Sequence, residues 1–258
     1  MSAIELREAS YRYPGAARDA LGGVTLAIES GSLVSIVGPN GSGKSTLLKL
    51  LGRVLEPTGG EMVYRGRAAG AWPRREYARR VGYLPQEWEP VFPIRALDVV
   101  LSGRAPHLKR FEWESAEDVE SARRALEECD VLGFESRFMD EMSGGERKRV
   151  EIARVLAGEP ELVLLDEPFA ALDLAHVQRL ARLLEAIAGT AGRTVVFVSH
   201  DLNWSAAVAD RMIVLRQGRV AADGSPAEVL TEPTLERCFE LRARVIEDGG
   251  SRWIVPKR

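Results

Sequence analysis

No apolar run in this chain is long enough to cross a bilayer. The longest charge-free apolar stretches fall short of the roughly 20 residues a spanning helix needs, and Leu33 to Val37 is only strand length. The opening Met-Ser-Ala-Ile-Glu-Leu-Arg-Glu has no apolar signal core, which predicts a soluble, cytoplasmic protein that reaches a membrane only by gripping another protein. Cysteine is scarce. Cys129 and Cys238 lie far apart with no C-x-x-C, which leaves two ordinary thiols, Cys129 sharing a helical face with Val119, Ala122 and Leu126. Basic charge is not in excess either: 35 Lys and Arg against 38 Asp and Glu give a net charge of -3, so no global field favours nucleic acid. There is no internal repeat and no low-complexity linker. What remains is a globular composition, 45% hydrophobic and 28% charged, which excludes disorder. The 258 residues suit one large domain or two modest ones.

Alternation along the chain predicts its elements. Ile4 and Leu6, then Val24, Leu26 and Ile28, alternate with polar residues as strands do. Leu33 to Val37 reads as a short buried strand. It runs into Gly38-Pro-Asn-Gly-Ser-Gly43 and then a helix carrying Leu47, Leu48, Leu50, Leu51 and Val54, stopped by Pro57, Gly59 and Gly60. Strands follow near Met62 to Tyr64 and Val81 to Leu84. From about Ala96 to Ala157 the pattern is mostly helical, with Ser115 and Asp118 forming a capping box and a second helix from Gly145 to Gly158. Strands at 161–165, 194–198 and 211–215 then alternate with a helix at 174–188, and Ser225, Pro226 and Glu228 open a short helix. The fold class is α/β: a core of parallel buried strands interrupted by a helical insertion.

Three segments carry chemistry. Gly38-Pro39-Asn40-Gly41-Ser42-Gly43-Lys44-Ser45 fits G-x-x-x-x-G-K-[ST], with a strand before it and a helix after. Its glycines let backbone N–H groups wrap phosphates at a helix start. Lys44 would neutralise β- and γ-phosphate charge, and Ser45 would ligate Mg²⁺. Asp166 ends a buried strand beside that loop, where it could hold Mg²⁺ through water. Glu167 is one residue further on, placed to polarise a water against the γ-phosphate. Ser143-Gly144-Gly145-Glu146 opens a helix with two glycines and makes a second anion-seeking nest.

Taken together, these segments resemble the nucleotide-binding subunits of ABC transporters over nearly the whole chain, with six motifs in the family's order. Gly38 to Ser45, followed by Thr46, is similar to the Walker A motif, and Gln86 to the Q-loop. Met142-Ser-Gly-Gly-Glu146 is similar to the signature L-S-G-G-Q, and Asp166-Glu167 to Walker B with its catalytic Glu. Ala171-Leu-Asp173 resembles the D-loop and His200 the switch histidine. The resemblance implies a P-loop NTPase core with an N-terminal antiparallel β subdomain and a helical insertion subdomain. It divides the chain into 1–88, a 89–158 insertion, 159–240 and a short β-rich tail, 241–258, packed on the core. It implies ATP with Mg²⁺ held by Ser45, Gln86 and Asp166, and hydrolysis by Glu167, His200 and Lys44. Tyr13 would stack on adenine, with Tyr11 as rival. Glu146 departs from the family's Gln and adds a carboxylate near the nucleotide; Met142 replaces a Leu. His176 reads as a solvated helix residue.

The stretch Val91-Phe-Pro-Ile-Arg-Ala-Leu-Asp-Val-Val-Leu-Ser-Gly-Arg-Ala-Pro-His107, with Asp201-Leu-Asn203 after His200, resembles ATPases that power uptake of ferric siderophores, haem and cobalamin. That resemblance implies two identical ATPase subunits on the cytoplasmic face, gripping membrane permease subunits served by an extracytoplasmic solute-binding protein. Two ATP molecules would be sandwiched head to tail, each completed by Ser143, Gly144, Gly145 and Glu146 of the other copy. A soluble ABC ATPase serving an assembly system or an exporter is the alternative. A P-loop enzyme acting alone has no use for the second nest.

Overall fold

The computed structural model describes residues 2–88, 90, 92–109, 113–189, 192–248 and 251–257. Positions 1, 89 and 258, which bound predicted segments, and Val91, which opens the 91–107 stretch, lie outside the described residues. The chain opens with β1 (Ser2–Tyr11), β2 (Leu21–Glu29) and β3 (Leu33–Val37), followed by α1 (Lys44–Leu51), β4 (Gly59–Tyr64), β5 (Arg67–Ala68), α2 (Arg74–Arg80) and β6 (Val81–Leu84). Three helices come next: α3 (Ala96–Leu101), α4 (Ala116–Glu128) and α5 (Gly144–Ala157). Alternation resumes with β7 (Leu162–Asp166), α6 (Leu174–Gly189), β8 (Thr194–Val198), α7 (Leu202–Val208), β9 (Arg211–Arg216) and β10 (Arg219–Gly224). The chain finishes with α8 (Pro226–Val229), α9 (Glu232–Phe239), β11 (Ala243–Asp248) and β12 (Ser251–Pro256).

Two sheets and a C-terminal two-stranded hairpin, β11-β12, organise these elements. One is antiparallel, in the order β2-β1-β4-β5; the other runs β10-β9-β3-β8-β7-β6 and is parallel except for its β10 edge. Every residue of β3, β7 and β8 is buried. Strands covered on both faces lose the polar alternation, which is why they read as unbroken apolar runs. On one face, Ile4 and Leu26 of the antiparallel sheet meet Leu47 and Leu50 of α1 and Leu164 and Ile213 of the parallel sheet. On the other, Leu126 of α4 and Val150 of α5 share a core with Leu165, Phe197 and Leu180. The helical stretch therefore packs continuously with the parallel sheet.

Several local expectations shift. The first helix ends at Leu51, with Gly52 as its cap, and not at Pro57. Arg53 follows in the left-handed region (φ 52°), which ends the α-helical hydrogen-bond ladder, and Val54 is left exposed. Ser115 and Asp118 do form a capping box, as do Ser225 and Glu228. The tail is a hairpin pairing Val245 with Ile254 and Ile246 with Trp253. It is tied to the core where Ile254 N–H donates to Asn203 Oδ1 at 2.7 Å. Asn203, part of the importer-like Asp201-Leu-Asn203, is thus a tether.

Parallel register does the positioning. Leu84 of β6 lies opposite Leu165 of β7, and Asp166 of β7 lies opposite Val198 of β8. Gln86, Glu167 and His200 therefore leave three adjacent strands at the same edge. The loop after β3 opens on that edge too, where α/β sheets bind their ligands.

Candidate active site

A cleft of ≈ 390 Å³ is lined by Asn40, Gly41, Ser42, Gly43, Lys44, Ser45, Thr46, Gln86, Glu167 and His200. Gly43 precedes α1 at φ 102° and makes no side-chain cap. A Cβ there would fall 2.6 Å from Ala20 O, so only glycine fits, and the N–H groups of the helix start stay available to an anion. Lys44 lies along its own loop, its Nζ donating to Gly38 O at 2.9 Å and Pro39 O at 3.1 Å. Burial pushes its ammonium below the ordinary value, against the opposing pull of Glu167 and Asp166.

Ser45 Oγ donates to Asp166 Oδ1 at 3.0 Å. Burial raises the Asp166 carboxyl, the Ser45 bond opposes that rise, and Glu167 adds to it. A hydroxyl and a carboxylate in contact are hard oxygen donors of the kind Mg²⁺ takes alongside phosphate oxygens, so the residues present fit that ion. Among the described residues no group of three or more His, Cys, Asp or Glu could hold a metal ion.

Glu167 is 9% exposed and sits in the left-handed region at φ 53°. For a non-glycine residue that backbone costs roughly 1–2 kcal/mol; Glu167 N–H donating to Val198 O at 3.1 Å helps hold it. Gln86 Nε2 donates to its Oε2 at 3.0 Å, and His200 Nε2 closely approaches its Oε1. The resemblance implies Gln86 on the metal and His200 on the γ-phosphate; in the structure both meet Glu167. Tyr13 is 39% exposed and Tyr11 9%, with their rings edge to face at 4.9 Å. The Tyr13 hydroxyl meets Thr46 Oγ1 at 3.2 Å, so Tyr13 offers the accessible ring beside the cleft.

Ser143, Gly144, Gly145 and Glu146 are not among the residues lining this cleft. They form the start of α5, closed by a capping box. Glu146 N–H donates to Ser143 Oγ at 3.3 Å, and Ser143 N–H donates to Glu146 Oε2 at 2.9 Å. That second bond is the main cause holding the Glu146 carboxyl below its ordinary range. The extra carboxylate is turned onto its own helix start. Asp173 caps α6, accepting from His176 N–H at 2.9 Å and from His176 Nδ1 at 2.8 Å. His176 is thus not a merely solvated helix residue; Asp173 as an N-cap is legible in the sequence, and the ring bond is not.

The family model for ABC transporters matches residues 21–170. The chain belongs to the ABC transporter ATP-binding family. It is 44% identical over 238 residues to the hemin import ATP-binding protein of Myxococcus xanthus (strain DK1622), spanning 90% of this chain and 88% of that one. It is 37% identical over 235 residues to the ferric enterobactin transport ATP-binding protein of Escherichia coli (strain K12), spanning 90% and 87%. Among solved structures, a dimeric ATP-binding cassette in a post-hydrolysis state, bound to ADP and Pi, superposes with a TM-score of 0.74 at 30% identity, covering 86% of this chain and 98% of that one. This ABC chain is an ATP hydrolase with a mixed α/β P-loop core. No helix among its described residues is long and apolar enough to cross a membrane.

Gly103-Arg-Ala-Pro-His107, the most telling importer-like segment, has a structural task in this ABC chain. Arg104 is buried and donates to Asp118 at 2.9 Å, Ala157 O at 2.9 Å and Glu159 at 3.1 Å. His107 Nε2 meets Gly158 O at 3.0 Å. A Cβ on Gly103 would fall 1.9 Å from Arg154 O. The segment clamps the end of α5 to the start of α4.

Proposed function

We propose that this chain energises an importer for haem or a ferric chelate, working as a homodimer on the cytoplasmic face of the membrane beneath permease subunits fed by a solute-binding protein. The observation that carries the shared-site part is the separation of two phosphate-seeking helix starts. One lines the cleft with Lys44, Ser45 and Thr46, while the Ser143 nest opens elsewhere. In a two-fold dimer, the nest of one copy would complete the cleft of the other. The relatives' names support the cargo class.

In this reading Tyr13 stacks on the base, and the loop from Gly38 to Thr46 wraps the phosphates. Lys44 exchanges its two loop carbonyls for phosphate oxygens. Mg²⁺, when bound, supplies neutralisation of phosphate charge, and Ser45 and Asp166 would hold it with Gln86 in reach. Glu167 accepts a proton as water attacks the γ-phosphorus and the bond to the bridging oxygen breaks. His200 leaves Glu167 to donate to the γ-phosphate. Asp173 and the Ser143 nest reach the site from the partner.

Co-expression with a permease, followed by reconstitution into vesicles with a loaded binding protein, tests the assignment. Haem or a ferric chelate should stimulate ATP hydrolysis and accumulate inside; cobalamin, also within the sequence resemblance, is a third arm. A chain that co-purifies with no permease, or that drives efflux only, overturns the importer assignment.

A further inference from the structure

His176 joins two segments that are distant in sequence. Its backbone N–H and ring Nδ1 both donate to Asp173 Oδ1, at 2.9 and 2.8 Å. A carboxylate only accepts, so Nδ1 carries the proton and the ring is held in one tautomer. Those same two bonds hold the Asp173 carboxyl below its ordinary range. The other side of the ring lies where Gly145 has no side chain. A Cβ on Gly145 would fall 1.9 Å from His176 Cδ2, 2.4 Å from Cγ and 2.7 Å from Nε2. The neighbouring Leu172 reaches within 4.0 Å of a Cβ built on Gly144. The His176 side chain is 23% exposed and that of Asp173 67%: the ring is enclosed and the carboxylate is presented.

We propose that His176 is a positioning residue, docking the Asp173 turn against the Gly144-Gly145 helix start so that both reach the second subunit as one rigid unit. The inference rests on the shared-site reading above. Its distinctive feature is that His176 contacts the two segments assigned to the partner's nucleotide and does not line the chain's own cleft.

The test uses the full chain with His176→Ala and His176→Asn, whose amide nitrogen can occupy the place of Nδ1. ATP affinity is measured on dilute protein, kcat on concentrated protein, and ATP-driven dimerisation with Glu167→Gln added. His176→Ala should leave ATP affinity within about twofold and lower kcat and dimer affinity about tenfold each, the pattern of misplaced groups and not of lost binding. His176→Asn should recover most of both. Wild-type kcat and dimerisation in His176→Ala overturns the proposal. So does equal loss in both variants together with lower thermal stability and weaker ATP binding, which marks general packing. Failure of the shared-site reading looks different and overturns both: the unmodified chain then hydrolyses ATP at a rate per subunit independent of concentration, and Glu167→Gln alone forms no ATP-driven dimer.

Discussion

Gln86 Nε2 donates to Glu167 Oε2 at 3.0 Å, while His200 Nε2 faces the other oxygen of the same carboxylate. Glu167 is therefore held on both sides by the residues that flank it in the sheet. In the proposed mechanism, a γ-phosphate entering the cleft draws His200 off Glu167, which frees that carboxylate oxygen for the proton from water.

Glu167→Gln preserves the shape and the Gln86 contact but cannot accept that proton. Turnover should fall about 10²-fold or more, with ATP affinity retained. Size-exclusion chromatography in ATP should show an accumulating dimer. Hydrolysis at the unmodified rate would remove Glu167 from its role.

Tyr13→Ala should weaken ATP binding by roughly 1–3 kcal/mol, the worth of a base stacked on an aromatic ring. Tyr13→Phe, which loses only the bond to Thr46, should stay near the unmodified affinity. Calorimetry distinguishes them. If Tyr13→Ala binds ATP normally, the base lies elsewhere.

Lys44→Ala and Ser143→Arg test the two nests together. Each should inactivate its own homodimer. Mixed, the Ser143 of the Lys44→Ala chain meets the Lys44 of the other chain, rebuilding one complete site per mixed dimer. Activity should return, to at most about half per dimer if the sites are independent, with one nucleotide trapped. A mixture that stays inactive and traps no nucleotide counts against the head-to-tail sandwich.

Acid should loosen the start of α4. Asp118 is held at about 2, below its ordinary 3.8, by the Ser115 hydroxyl and N–H, with Arg104 adding. A lowered folded value means that the stabilisation is fully present above pH 3.8 and is lost as pH falls towards 2. Asp118→Asn should lower stability at neutral pH by roughly 1–3 kcal/mol, because buried Arg104 loses a charged partner. It should also flatten the decline of Tm between those two pH values. A decline as steep as in the unmodified chain would show that Asp118 does not carry it.

What could be read from the sequence was whatever local patterning decides. β3, β7 and β8 announced themselves because both faces are buried, and the phosphate loop because its glycines and Lys44 are contiguous. α2 escaped notice: Arg-Arg-Glu-Tyr-Ala-Arg-Arg is charged nearly throughout, and only Tyr77 is buried. α7, α9, β5 and β10 are eight residues or shorter, too brief to show a period. Tyr13 and Tyr11 could not be separated by spacing, because their difference in exposure comes from packing. The turn of Glu146 onto Ser143 and the seating of His176 on Gly145 depend on side-chain direction and on a contact between distant helices. The Ser143-x-x-Glu146 spacing is a capping-box pattern that carries the first; no one-dimensional pattern encodes the second.

One consequence follows from α5 itself. Its 14 residues make a rod roughly 20 Å long. Ser143 stands at one tip, and Arg104 and His107 grip the other at Ala157 and Gly158. Arg75 and Arg79 of α2 donate to Pro106 O in the same grip, each at 2.8 Å. A stiff rod fastened at its heel is a lever. Under the proposed shared site, a push on the Gly103–His107 turn would swing the far tip, so that a force applied well away from any phosphate would move the serine towards the partner's nucleotide or withdraw it.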